Sequence, residues 1–266
     1  FPPLGTPESL MALTEADIQL WQEMIFQPQN ACLVMTGNFS DGMELAAIEA
    51  LSELRNTTAQ PPFTQSLPIG FCMRDEQSDL LEEVESDFAS VQLAFDVDSE
   101  QVYPVAAEVL STITAGNDDS MLFQALREEQ ALVAEIESQI SRVGQFSRLV
   151  IRYDVRSEWL KDTLTKVFAY LHRLTMYVRP ARLNQLRTQF TTNNAMLTDD
   201  TAALNDRLGW AWMSGDTAQA DLDAAAAQYN ELTAEELLDA AQTVFRPENL
   251  TIAVQYDPET VGDLRP

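Results

Sequence analysis

Two periodicities alternate along this chain, and each change of period marks a change of element. Leu160, Leu164, Val167, Phe168, Leu171 and Leu174 fall at i, i+4, i+7, i+8, i+11 and i+14, one apolar stripe of a long helix. That helix is expected to begin at Ser157 and to break at Arg179-Pro180. Val91, Leu93 and Phe95 instead recur with period two, which predicts a half-buried strand over Ser90–Val97. Ala134–Ser141 and Phe146–Asp154 read as an antiparallel pair around Val143-Gly144, and Ile69–Arg74 as a further strand. Helical patterns cover Thr14–Phe26, Asp41–Leu54, Ser99–Thr114, Ser120–Gln130 and, after the break, the chain to about Tyr229. Strands thus alternate with runs of helices, which predicts an α+β fold with helices packed on a mostly antiparallel sheet.

One stretch of this pattern is written twice. Leu13-Thr14-Glu15-Ala16-Asp17-Ile18 leads to Phe26-Gln27-Pro28-Gln29-Asn30 and the apolar Leu33-Val34-Met35. Leu232-Thr233-Ala234-Glu235-Glu236-Leu237 leads to Phe245-Arg246-Pro247-Glu248-Asn249 and Ile252-Ala253-Val254. The offset is 219 residues throughout, from 13 to 232, 28 to 247 and 30 to 249. Thr with an acid three residues on is a capping-box start, and Pro stops the helix. Each copy therefore predicts a capped helix, a sharp stop and a strand (Ala31–Gly37 in the first). So long a period implies a duplicated domain, since solenoid repeats run to roughly 20–50 residues.

The Pro61-Pro62 region, poor in packing residues, predicts a linker. The domain reading is then 1–56 as the C-terminal part of a preceding homologous domain, 57–67 as linker, 68–258 as a complete second domain and 259–266 as tail.

Composition narrows the function classes. Hydrophobic residues make up 45% of the chain, enough for a core, and the longest apolar runs are too short to span a bilayer. The net charge is −26, from 42 acids against 16 bases, of which only Lys161 and Lys166 are lysine. Such a chain repels phosphate backbones, so nucleic acid is not an expected partner, and with apolar runs this short neither is a membrane. The acids read as a solvated surface or as an acidic cavity attracting cationic peptides. Cys32 and Cys72 make no disulfide framework; with no visible signal peptide at Phe1-Pro2-Pro3, the cytoplasm is the favoured compartment and the native N-terminus is expected to be absent.

The candidate chemistry is sparse. His172 is the single histidine, whereas a catalytic zinc site ordinarily takes three protein ligands. Neither H-E-x-x-H nor H-x-x-E-H occurs, and His172, one residue past the apolar stripe, reads as a partly exposed structural residue. A Cys32–Cys72–His172 zinc site is chemically allowed but draws on strands of two different units. No G-x-S-x-G elbow serves a triad, and Asp118-Asp119 and Asp199-Asp200 read as turn or cap acids. One constellation stands apart: the turn Gly116-Asn117-Asp118-Asp119 and the segment from Ser120 to Glu129. Ser120 is expected at the N-cap and Arg127 one turn from the end, where it either offsets the helix dipole or presents a forked donor to peptide carbonyls.

Here the chain resembles the insulinase (pitrilysin, mitochondrial-processing-peptidase) family of zinc metallopeptidases. The family's second domains carry a glycine-rich turn, Ser-x-Leu-Phe and Leu-Arg-Glu, matched by Gly116, Ser120, Leu122-Phe123 and Leu126-Arg127-Glu128. Its domain ends resemble the Leu-Thr-x-x-acid, Pro-x-Asn and strand of both repeat copies. The resemblance covers roughly residues 5–256.

The resemblance implies paired α+β domains, two pairs closing around a peptide, with zinc held by an H-x-x-E-H helix in the first domain of the active half. This chain lacks that helix, so it is expected to carry no catalytic residue, no metal and no cofactor; zinc belongs to a missing or partner half. Arg127 and Ser120 are the candidate substrate-binding residues. The family's Arg is followed seven residues later by a Tyr, and here that position is Ala134, with Val133 where a Gly usually precedes it. The departure fits a degenerate half, or the non-clamping domain of an active half. The leading reading is thus a non-catalytic portion of an insulinase-like metallopeptidase, inactive alone. It would form a peptide-chamber wall and dock to a homologous zinc-carrying half, in cis, on another subunit or in a homodimer. Its rivals are a structural assembly subunit like the respiratory-complex core proteins, and a peptide-binding module without catalytic partner.

Overall fold

The computed structural model of the chain describes residues 5–40, 42–52, 78–143, 146–214, 221–262 and 264. The expected linker, the expected strand Ile69–Arg74 and Cys72 lie outside these residues. In chain order the helices are α1 (Pro7–Met11), α2 (Glu15–Ile25), α3 (Met43–Ser52), α4 (Pro104–Ala115), α5 (Leu160–Met176), α6 (Pro180–Met196), α7 (Thr201–Ser214), α8 (Leu222–Glu231), α9 (Ala234–Val244) and α10 (Pro258–Val261). Five strands are described: β1 (Ser78–Glu83), β2 (Phe88–Val97), β3 (Val133–Val143), β4 (Phe146–Arg156) and β5 (Leu250–Tyr256). The chain divides into two compact units. One holds the described residues up to 52 and Asn194–Ala225; the other holds those from 78 to Asn193 and from Ala226 onward.

The second unit is built on one sheet of order β1-β5-β2-β4-β3, antiparallel except for the β1–β5 pair. The register stacks alternate residues of neighbouring strands: Val91 lies opposite Tyr153 and Val254, and Leu93 opposite Ile151 and Ile252. These residues and their period-two neighbours form the face on which α4, α5 and α9 pack. Phe95 meets Phe245 edge-to-face there, ring centroids 5.0 Å apart. Strand β1 was not anticipated. Its Ser-Asp-Leu-Leu-Glu-Glu carries no alternation, and pairing with β5 rather than local pattern makes it a strand.

Two helix starts differ from expectation, each for a local reason. Pro104 at the first position sets the start of α4, and residues 98–102 form a turn closed on the Asp98 carbonyl instead of a helix from Ser99. Ser157 does not cap α5; its hydroxyl donates to the Ser86 carbonyl at 2.9 Å, and α5 begins at Leu160 after a 3₁₀ turn. Asp200 does take a cap role, accepting the Ala202 and Ala203 amides of α7.

The repeat folds alike locally and differently in space. Thr14 accepts the Asp17 amide at 3.3 Å and Thr233 the Glu236 amide at 3.1 Å, each acid reaching back to the Thr amide. Both helices end in a 3₁₀ turn, Pro28–Asn30 or Pro247–Asn249. Asn30 donates to the Met24 carbonyl, and Asn249 makes the same bond to Thr243. Beyond this point the copies part. Leu250–Tyr256 pairs on both sides as β5, whereas the expected strand Ala31–Gly37 does not form: among the described residues no strand pairs with it. Leu237 and Val244 are fully buried, while their counterparts Ile18 and Ile25 are 60% and 47% exposed.

Candidate functional site

The Gly116–Glu129 segment connects α4 to β3, and its apolar residues decide its path. Leu122 and Leu126 are fully buried, and Phe123 and Ala125 nearly so, which pins one side of the segment to the core. Past Leu122 it winds as a π-helical turn, Phe123–Glu128, with Glu129 donating to the Gln124 carbonyl five residues back at 2.9 Å. The winding leaves Arg127 and Glu128 outside. The Arg127 guanidinium lies 4.6 Å from the Phe123 ring centroid and 3.8 Å from the Glu128 carboxylate. Both interactions are exposed and weak.

Ser120, seven residues earlier, has the opposite environment. It is fully buried, its carbonyl accepts the Gln124 amide, and its hydroxyl has no hydrogen-bond partner, so it does not serve as a side-chain cap. The two candidate residues of the motif therefore share a segment but not a surface. Ser120 lines a cavity of about 340 Å³ together with Arg173, Arg179 and Arg182. Ala134, where the resemblance expects a tyrosine, is exposed at the start of β3, where the pairing with β4 slips between Val133 and Ile136.

A larger hollow, about 740 Å³, lies along the sheet and draws on the polar positions of β1, β2, β3, β4 and β5, including Glu82, Gln92, Glu137, Arg152, Asp154 and Gln255. Cross-strand bonds order these side chains: Ser90 donates to Asp154 at 2.6 Å, Arg152 to Gln92 at 2.9 Å and Gln255 to Glu82 at 2.7 Å. Arg152 also lies 3.7 Å from Glu137. Four carboxylates of the hollow (Glu82, Glu135, Glu137 and Asp154) face one guanidinium, Arg152. Tyr153, between Arg152 and Asp154 in β4, belongs to the core face, and burial pushes its phenol well above the usual range. The hollow was missed in the sequence although its signal is there. In β4, Arg148, Arg152, Asp154 and Arg156 occupy polar positions between Leu149, Ile151, Tyr153 and Val155.

Among the described residues the donor set does not fit zinc. The sequence has one histidine, His172, which is exposed on α5, and among the described residues no three His, Cys, Asp or Glu side chains converge as a metal site. Cys32 is exposed and free. No described helix is long and apolar enough to cross a membrane.

The Gly116–Glu129 segment and strands β1 to β4 fall inside a stretch that a family model matches. The model of the peptidase M16 inactive domain matches residues 12–190. The chain belongs to that family.

Solved structures show the M16 fold over nearly the whole chain. A peptidase M16 inactive domain from Pseudomonas fluorescens superposes with a TM-score of 0.78 at 17% identity, covering 95% of this chain and 60% of its own. A protease from Helicobacter pylori gives 0.77 at 16%, covering 95% and 62%. The first half of the periplasmic protease PqqL from Escherichia coli gives 0.70 at 15%, covering 99% and 59%. The chain thus spans about 60% of the length of each of these three structures. At these identities the likeness is one of fold. No curated protein matches the sequence at a significant level. The M16 membership and the α+β architecture agree with the resemblance carried by the Gly116–Glu128 motif.

Proposed function

We propose that this M16 domain forms one wall of a peptide-binding chamber and docks to a homologous half that carries zinc. The observation that carries the reading is the 740 Å³ hollow along the sheet, lined by cross-strand polar pairs instead of by a packed helix. A surface of this kind offers donors and acceptors to the backbone of an extended peptide. Its four carboxylates against one guanidinium favour cationic peptides, and that preference should weaken with salt. Arg127, exposed at the end of the π turn, is the motif residue we assign to peptide contact, and the buried Ser120 is assigned to holding the segment. Hydrolysis itself belongs to the zinc-carrying half, since this chain supplies neither the ligands nor the base of an H-x-x-E-H helix.

The test is reconstitution. The chain is mixed with a zinc-carrying M16 half, and cleavage of an Arg-rich and an acidic peptide is followed at low and high salt. Cleavage that requires both halves, prefers the Arg-rich peptide and loses that preference at high salt is the expected result. A chain that binds no peptide and leaves the partner's turnover unchanged would instead be a structural subunit.

A further inference from the structure

The cavity beside Ser120 has three arginines against two acids, Asp119 and Glu129, on its lining. In a chain with 42 acids and 16 bases, three arginines line one space of about 340 Å³. Arg182 is already engaged. It donates to Gln185 at 2.9 Å and to Asn117 at 3.1 Å, and lies 3.8 Å from Asp119; desolvation lowers its pKa and Asp119 partly offsets that. Arg173 on α5 and Arg179 in the α5–α6 connection are exposed, and their guanidiniums have no hydrogen-bond or ion-pair partner among the described residues. Of the two acids on the wall, Asp119 faces Arg182, which leaves Glu129 against two free guanidiniums.

Two further features give the cavity a built character. Its inner surface is apolar, with Ile113, Leu174 and Val178 all buried. Ser120 also lines it, fully buried and with an unpaired hydroxyl. A buried hydroxyl without a partner is unfavourable by itself, which marks the wall of the cavity at Ser120 as a place of unspent bonding capacity. The volume sits at the small end of ligand sites, and two tyrosines, Tyr170 and Tyr177, add flat faces at its side.

We propose that this cavity binds a monocarboxylate carrying an apolar group, paired with Arg173 and Arg179 at the rim and with its apolar part against Ile113, Leu174 and Val178. Guanidinium forks match a carboxylate in two-point geometry. A phosphate dianion is disfavoured by the apolar inner surface and by Asp119 and Glu129 on the wall. The ligand is either a small organic acid or the C-terminus of a peptide with an apolar last residue. The site shares no residue with the sheet hollow and does not depend on the chamber reading.

The full chain is titrated with 3-phenylpropanoate, N-acetylphenylalanine, N-acetylphenylalanine amide and inorganic phosphate, by calorimetry and by backbone NMR shifts near Ser120 and Gln124. Both carboxylates are expected to saturate and to shift these signals, while the amide and phosphate do not. The double variant Arg173→Gln/Arg179→Gln should keep its melting temperature and lose about tenfold or more in carboxylate affinity. Tighter binding of N-acetylphenylalanine than of 3-phenylpropanoate assigns the peptide terminus as the source; equal binding assigns a small acid. No saturation by either acid at millimolar concentration, equal binding of the amide, or unchanged affinity in the double variant overturns the site. Competition by phosphate overturns the choice of carboxylate. The acid-against-amide comparison uses the unaltered chain, so it decides even if the variant unfolds.

Discussion

Ser111 of α4 and Ser138 of β3 meet inside the core with their hydroxyl oxygens 2.7 Å apart. Ser138 spends its single proton on the Ser111 carbonyl at 2.9 Å, so the Ser111 hydroxyl is the donor between the two. The bonds are therefore unequal. Ser138→Ala removes both and leaves the Ser111 hydroxyl buried without a partner, whereas Ser111→Ala leaves Ser138 still donating to the backbone. Denaturant titration should give a loss of about 1–3 kcal/mol for Ser138→Ala and about 0.5–1.5 kcal/mol for Ser111→Ala. The reverse order would show that the link is not built this way.

Ala131 joins the π turn to β3 with φ at +51°, and among the described residues it is the one non-glycine with positive φ. An L-residue is strained in that region, and glycine is not. Ala131→Gly should therefore raise stability, by about 1 kcal/mol, despite the greater freedom it gives the unfolded chain. A lowered melting temperature would contradict the strain argument.

Thr233 and Glu236 cap α9, whose inner face carries Leu237, Ala240, Ala241 and Val244 into the core. Thr233→Ala should lower stability by about 1 kcal/mol. The Thr233 amide, and then its hydroxyl, hold the Glu236 pKa below its ordinary value. A depressed carboxylate pKa gives stability that is present above the unfolded value and lost as pH falls through the folded one. Acid melting curves of Glu236→Gln should thus show a shallower fall over that window than the parent chain.

Among the described residues the Arg127 guanidinium contacts the Phe123 face and, distantly, Glu128. Arg127→Ala should change stability by no more than about 0.5–1 kcal/mol. In the reconstituted pair of halves it should lower peptide turnover or affinity. Unchanged peptide kinetics with a clearly lowered melting temperature would make Arg127 a structural residue and nothing more.

The two repeat copies offer an internal comparison by hydrogen exchange. α9 buries its apolar side, and its amides should exchange near the global limit. α2 contains no buried residue, so its amides should exchange far faster in spite of an equivalent capping box. Equal protection of the two helices would mean that α2 is covered in solution.

The sequence by itself determined what depends on near neighbours. Thr14 and Thr233 with their acids, Pro28 and Pro247 with Asn30 and Asn249, and the stripe from Leu160 to Leu174 specify caps, stops and a helix face whose bonds span only a few residues. The period-two pattern of Val91, Leu93 and Phe95 fixed which side of β2 is buried, because side chains alternate on a pleated strand. The motif from Gly116 to Glu128, read together with the 219-residue duplication, carried the resemblance with which the family match over residues 12–190 agrees. Tertiary structure decided everything that needs a distant partner. Leu80 and Leu81 became a strand only because β5 lies alongside, and Ala31–Gly37, with similar local grammar to β5, did not. Ser120 and Arg127 look like one motif in the sequence, yet burial separates them, and the arginines that share a cavity with Ser120 come from 53, 59 and 62 residues further along the chain. No local pattern carries that information, since backbone pairing and charge proximity are set by which segments the hydrophobic core brings together.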